Sequence, residues 1–167
     1  IHEIDREGRF LSINAEAARH VGSMYAEEVI GRAYLDYVAP WDQKRVSDLL
    51  TQACAARVCQ FEYTSIIDCN ARVFSASLIP LGDEDGSVNK LLGYSRDITA
   101  QKTSEQQLVH RAEHDSLTDL PNRGLFMDRL RSGIARAKRN NQPLALLFVD
   151  LNDFKPVNDQ HGHQTGD

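Results

Sequence analysis

The sequence predicts an α+β domain over its first hundred residues, then a helix, then the start of an α/β segment. Three patterns carry this reading. Residues 58–67 alternate apolar and polar side chains with period two, the mark of a strand with one buried face. Residues 41–56 place Val46, Leu49, Leu50 and Ala53 at helical spacing, which makes one apolar stripe. Near the other end an apolar run, Leu144–Val149, stops at Asp150 and a polar, glycine-containing stretch follows at once.

In chain order, Ile1–Asp5 and Phe10–Asn14 are strand-like, and Arg6-Glu7-Gly8-Arg9 between them reads as a hairpin turn. Ala15–Val21 favours helix and ends at Gly22, a plausible C-terminal cap. A second short helix fits Ala26–Ile30 before Gly31, and a longer one fits Trp41–Ala56 after Pro40. Strands are expected at Val58–Ile67, Arg72–Leu81 and Val88–Ile98, with turns at 68–70 and 83–87. Residues 100–113 hold neither Gly nor Pro and are rich in helix formers, so a linker helix is expected. Its apolar seam, Ile98, Leu108, Val109 and Ala112, is too thin to specify a coiled coil. The next helix, about Arg123–Arg139, should bury Phe126, Leu130, Ile134 and Ala137 and stop at Asn140-Asn-Gln-Pro143. Leu144–Val149 then reads as a buried strand that delivers Asp150 at its tip.

Bulk composition narrows the class. The 167 residues are 41% hydrophobic and 26% charged, which suits a soluble chain of one or two domains. No apolar run approaches the roughly 20 residues of a membrane span, and no signal peptide is visible. The chain starts at Ile1, and both ends read as cut. Cys54, Cys59 and Cys69 are a sparse, odd set, better suited to a reducing compartment than to a disulfide framework. The expected location is therefore the cytoplasm, with membrane attachment of the parent left open. Formal charge is −5 over residues 1–99, −2 over 100–119 and +2 over 120–167. Nothing is basic enough to suggest a nucleic-acid partner.

Two strands, small helices and then three strands is the order of a PAS domain. The chain resembles that family at Asn14-Ala-Glu-Ala17, Glu28-Val-Ile-Gly-Arg32, Val38-Ala-Pro40 with Asp42, and Gly93-Tyr-Ser-Arg-Asp-Ile-Thr99. The resemblance implies a five-stranded antiparallel sheet with small helices over residues 1–99, and a signalling helix leaving at Thr99. Thr99 is suited to capping that helix and Asp97 to anchoring its exit. A PAS pocket can hold haem, flavin or a small metabolite. The helix at 41–56 contains no His to ligate haem iron and no flavin-adduct Cys is recognisable, so the ligand is unknown. His20 reads as a surface or packing residue.

Residues 114–167 resemble the first part of a GGDEF domain, the catalytic domain of diguanylate cyclases. The resemblance rests on Asp115-Ser-Leu-Thr-Asp-Leu-Pro-Asn-Arg123 and on Asp150-Leu-Asn-Asp-Phe-Lys-Pro-Val-Asn158 with Gly162-His163 and Asp167. It implies a cyclase-palm, ferredoxin-like fold entered through residues 114–123, with Leu117 and Leu120 tucked beneath it and Asn122 starting the next helix. It also implies that two GTP are condensed to cyclic di-GMP with loss of two pyrophosphates. By the same resemblance Asp150, through its side chain, and Leu151, through its carbonyl, bind two Mg²⁺ shared with GTP. The turn Asp153-Phe154-Lys155 receives phosphate oxygens on its main chain, Lys155 adds a catalytic point charge, and the Phe154 ring plugs the core below. Asn158 and Asp167 read guanine, and His163 contacts substrate. His161 and His163 form a His-x-His pair that is more often structural than metal-binding.

Asn152 stands where the family often has Asp, so no second carboxylate can be claimed there. The acidic Gly-Gly hairpin of the family would lie beyond Asp167, and these residues alone are therefore expected to be inactive. The resemblance further implies a homodimer formed through the PAS domain and the linker helix. Two rivals are a degenerate, GTP-sensing GGDEF region that regulates a downstream cyclic di-GMP phosphodiesterase, and a PAS-only sensor.

Overall fold

The computed structural model describes every residue except 68, 83–86, 153 and 163–167, with only the backbone of Val157. It divides into two compact units, residues 1–104 and 105–167.

The first unit is built on a five-stranded antiparallel sheet: β1 (His2–Asp5), β2 (Phe10–Ile13), β3 (Cys59–Ile67), β4 (Asn70–Gly82) and β5 (Val88–Asp97). The spatial order is β2-β1-β5-β4-β3, so the first two strands complete a sheet whose other three come from the far side of the helical segment. β1 and β2 close as expected. Gly8 takes φ +79°, a conformation open to glycine, while Asp5 N–H donates to the Arg9 carbonyl at 2.9 Å and Asp5 Oδ1 accepts from Arg9 N–H at 2.7 Å.

Between β2 and β3 lie α1 (Ala15–His20), two short 3₁₀ turns (Ala26–Glu28 and Tyr34–Tyr37) and α2 (Pro40–Cys54). Asn14 caps α1 by accepting the Ala17 N–H at 3.1 Å. The helix expected over Ala26–Ile30 is only a 3₁₀ turn, and the Tyr34–Tyr37 turn was not anticipated. Neither turn carries a side-chain cap, and segments this short gain too few hydrogen bonds to continue. Pro40 sits in the first turn of α2, where its missing N–H costs nothing.

The apolar patterns land on the core. Val46, Leu50 and Ala53 of α2 are buried, and Leu49 packs beside them. β3 alternates strictly, with Cys59, Phe61, Tyr63, Ser65 and Ile67 inward. Phe74, Ile4, Leu78, Leu91, Val29 and Val46 are the largest wholly enclosed apolar side chains. Each contributes roughly 1.5–3 kcal/mol by leaving water.

The second unit continues α3 (Thr99–Glu113), which begins in the first, and adds α4 (Arg123–Asn140) and α5 (Phe154–His161). Asn122 caps α4 by accepting the Leu125 N–H at 3.1 Å, and Asn141 ends it at φ +51°. Three expectations fail here. Leu144–Val149 is not a strand: the run makes no ladder, and Phe148 is 84% exposed. A strand is a pairing rather than a property of one segment, and the described residues of this unit offer it no partner. Leu117 and Leu120 are 61% and 63% exposed instead of tucked under the unit. The stripe of α4 forms, yet Phe126 and Ile134 stay exposed and Leu130 and Ala137 only half-buried, because among the described residues no sheet covers that face. Among the described residues, no helix is long and apolar enough to cross a membrane.

Candidate functional site

The exit of the first unit is held by Asp97. Its Oδ1 accepts the Thr99 N–H at 2.9 Å and the Thr99 hydroxyl at 2.6 Å, and Arg72 lies 3.7 Å from Oδ2. The roles expected of this pair are partly exchanged. Asp97 caps the start of α3, while Thr99 Oγ1 turns back to accept the Val73 N–H of β4 at 3.0 Å. Burial works to raise the Asp97 pKa, but the two Thr99 hydrogen bonds, Arg72 and His20 outweigh it and hold the carboxyl below the ordinary range.

Asp42 ties α2 to β3 in the same manner. It pairs with Arg45 at 2.6 Å and accepts the Thr64 N–H at 2.8 Å, while Arg45 also donates to the Glu62 carbonyl at 2.7 Å. Its pKa is lowered, the Arg45 and Thr64 hydrogen bonds overcoming the opposing effect of burial.

Inside the first unit is a small cavity of about 20 Å³. It is lined mainly by rings, among them Phe10, Tyr34, Tyr63 and Phe74, with His2 and Ser95 supplying polar edges. Among the described residues, His2 Nε2, Tyr34 Oη and Ser95 Oγ are buried with no hydrogen-bond partner within 3.5 Å. Burial, and then the N-terminal ammonium, push the His2 imidazole down to about 4, so it is neutral at pH 7. Burial, and then the nearby Tyr63 hydroxyl, push Tyr34 far above the ordinary phenol range. His20 also lines the cavity, packing its ring 5.7 Å from Phe74, in keeping with the packing role expected of it. Sequence reasoning missed His2, Tyr34 and Ser95. The one available signal was the alternation His2-Glu3-Ile4, which puts His2 on the same inward face as Ile4.

In the second unit, the Asp-x-Leu-Thr motif is a hydrogen-bonded turn. Asp115 Oδ1 accepts the Leu117 N–H at 3.2 Å, the Thr118 N–H at 3.0 Å and the Thr118 hydroxyl at 2.9 Å. These bonds, those of Thr118 first, lower its pKa. Asn122 closes the turn onto α3, donating from its backbone to Glu113 at 2.8 Å and from Nδ2 to the Ala112 carbonyl at 2.7 Å. The turn therefore orders the junction from α3 to α4 without help from its two leucines.

Asp150 is exposed in a stretch without regular secondary structure, its Oδ1 accepting the Leu151 N–H at 2.9 Å. Leu151 is also exposed. Carboxylate and carbonyl oxygens are a donor set that suits Mg²⁺. Among the described residues, however, no three His, Cys, Asp or Glu side chains gather as a metal centre. Phe154 and Lys155 lie in the first turn of α5 rather than in a loop, and Asn158 follows Lys155 by three residues, near one face of that helix. Lys155 is exposed, and the Asn158 Oδ1 is buried without a partner among the described residues. Phe154 is 37% exposed and does not plug a core. Asp153, His163 and Asp167 fall outside the described residues, and with them the second half of the His161/His163 pair.

Comparison with known proteins follows the same two parts. Residues 1–103 match the family described as PAS fold, and residues 112–167 match the family described as diguanylate cyclase, GGDEF domain. An uncharacterized signaling protein of Caulobacter vibrioides is 30% identical over 97% of this chain and 19% of its own length. A diguanylate cyclase of Vibrio cholerae is 45% identical over 49% of this chain and 26% of its own. Diguanylate cyclase TpbB of Pseudomonas aeruginosa is 39% identical over 60% of this chain and 23% of its own. The chain thus spans about a fifth to a quarter of the length of these curated relatives. Among solved structures, the PAS domain of a Colwellia psychrerythraea protein superposes with a TM-score of 0.54 at 19% identity, covering 59% of this chain and 85% of that one. The N-terminal domain of a Marinobacter aquaeolei diguanylate cyclase with PAS/PAC sensor gives 0.52 at 17%, covering 60% and 95%. At these identities the two structures establish the fold of the first unit.

Proposed function

The chain belongs to the PAS-fold family through residues 1–103, with a partial GGDEF domain at 112–167, and from that premise we propose that it is the sensor and substrate-binding portion of a diguanylate cyclase. It is a PAS–GGDEF signalling protein related to diguanylate cyclases. The proposed parent condenses two GTP into cyclic di-GMP, releasing two pyrophosphates. The observation that supports this reading is the GGDEF match over residues 112–167, the stretch that holds Asp150, Leu151, Lys155 and Asn158.

In this reading Asp150 and the Leu151 carbonyl hold Mg²⁺. When bound, the metal offsets charge on the triphosphate and makes an attacking hydroxyl more acidic. Lys155 and the main-chain N–H groups of the Asp153-Phe154-Lys155 turn receive phosphate oxygens, an arrangement favoured at a helix N-terminus. Asn158 pairs through its amide with the purine edge, and the Asp167 carboxylate accepts from N1–H and the exocyclic amine, donors that adenine lacks in those places. Asp153, His163 and Asp167 complete the proposed substrate set. Because the product is two-fold symmetric, two chains each present one GTP, with α3 relaying the state of the PAS domain.

The test is the full-length protein with GTP and Mg²⁺, alongside its Asp150→Ala variant. Cyclic di-GMP formed by the parent and abolished in a folded Asp150→Ala variant is the expected result. GTP binding without turnover would replace this reading with a nucleotide-sensing role, and no GTP binding would overturn both.

A further inference from the structure

The interior of the PAS unit holds a small polar site. His2 is 4% exposed and Tyr34 3%, both line one cavity, and among the described residues neither His2 Nε2 nor Tyr34 Oη has a partner within 3.5 Å, although the Tyr63 and Ser95 hydroxyls act on Tyr34 from nearby. Ser95 Oγ, on the same wall, is in the same position. Buried polar groups are almost always hydrogen-bonded, so three without a close partner around one space call for a guest they can share.

Size limits what can satisfy them. About 20 Å³ exceeds the minimum for one water and falls far short of the several hundred Å³ of a cofactor pocket. Charge limits it too. The polar residues of the lining are His2, His20, Tyr34, Tyr37, Tyr63 and Ser95, with neither a carboxylate nor a Lys or Arg side chain, so a neutral guest suits it. We propose that His2 Nε2, Tyr34 Oη and Ser95 Oγ bind a single uncharged hydrogen-bonding molecule of water's size, taken here to be water, as an integral part of the PAS fold.

The three groups come from β1, the second 3₁₀ turn and β5. A guest bonded to all of them cross-links the N-terminal hairpin to the strand that ends at Asp97. Ser95 stands two residues before that carboxylate, on the same side of β5, so the guest's wall and the exit of α3 share one stretch of strand. Glycine at position 93 is a condition of the site: a Cβ there would come within 1.9 Å of His2 Nε2, so only glycine lets the imidazole lie over β5.

Water-to-protein NOE spectroscopy on the isotopically labelled 167-residue chain tests the proposal. Cross-peaks from a long-lived water to the His2 Hε1 and Tyr34 ring protons are expected. They should disappear in Ser95→Ala and in Tyr34→Phe while the remaining amide spectrum is preserved. Absence of these cross-peaks in the unmodified chain overturns the proposal, as does an organic molecule retained in native mass spectrometry. So does persistence of the peaks in both variants. Should a variant misfold, the unmodified chain still decides between a wet and a dry site. None of these outcomes depends on whether the protein makes cyclic di-GMP.

Discussion

Asp97 Oδ1 receives both the backbone N–H and the hydroxyl of Thr99, at 2.9 and 2.6 Å, so a single oxygen fixes where the sheet ends and α3 begins. Asp97→Ala leaves both donors to water and frees Thr99 Oγ1 from its place beneath Val73 N–H. A loss of about 1–2 kcal/mol is expected, the usual cost of a removed helix cap. Hydrogen exchange should rise in the first turn of α3 more than in the centre of β3. Equal acceleration across the whole sheet would show that Asp97 acts globally and not at the exit.

Stability should fall as pH drops from about 6.5 to about 4 because of His2. The imidazole is neutral in the folded state, its pKa lowered to about 4 by burial and the N-terminal charge, whereas the unfolded chain protonates near 6.5. The unfolded state therefore binds more protons across this window, and acid favours it by on the order of 3 kcal/mol in total. Urea midpoints measured between pH 7 and pH 4 should show this slope, and His2→Phe should flatten it.

A second acid-sensitive window lies lower. Asp42 and Asp97 have folded pKa values below the ordinary range, so their contribution is complete above about 4 and is lost as pH falls through the folded values. Asp42→Asn and Asp97→Asn should each reduce the dependence below pH 4 while leaving the His2 slope above it. A shared loss of both slopes in either variant would mean that the two windows were misassigned.

Gly93→Ala should destabilise the PAS unit by about 1–3 kcal/mol, since the added methyl occupies the place of the His2 ring. Combining it with His2→Ala should recover part of that loss, because the clash then has no second partner. Thermal or urea unfolding of the two single variants and the double variant measures the coupling. Strict additivity would show that the methyl strains the backbone instead.

At the α3–α4 junction, Asp115→Ala removes the acceptor of three hydrogen bonds on an exposed turn. Protease sensitivity should rise between residues 113 and 123 while the PAS unit keeps its unfolding midpoint. Replacing Leu117 or Leu120 by Ser should change little in this chain, since both side chains already face water.

Much of the PAS fold was legible because its signals are local. The alternation in Cys59–Ile67 dictates which face is buried whatever strand lies alongside, and Val46, Leu50 and Ala53 would form a stripe on any helix. Where a short segment depends on its neighbours, legibility declined. Ala26–Glu28 and Tyr34–Tyr37 lack caps and sufficient length, so packing set their form. In the second unit, the motif residues could be named from their order, but Leu144–Val149 was read as a strand from composition alone. Its apolar side chains express a preference that only a neighbouring strand could realise.

By itself the sequence determined the order of strands and α-helices in the PAS unit, the inward faces of α2 and β3, and the spacing of Asp150, Lys155 and Asn158. Only the tertiary structure decided that His2 lies over Gly93, ninety-one positions away, and that Tyr34 and Ser95 share its cavity. The physical reason is register: the antiparallel pairing of β1 with β5 sets His2 opposite Gly93, and no periodicity within either strand records which residue it will face.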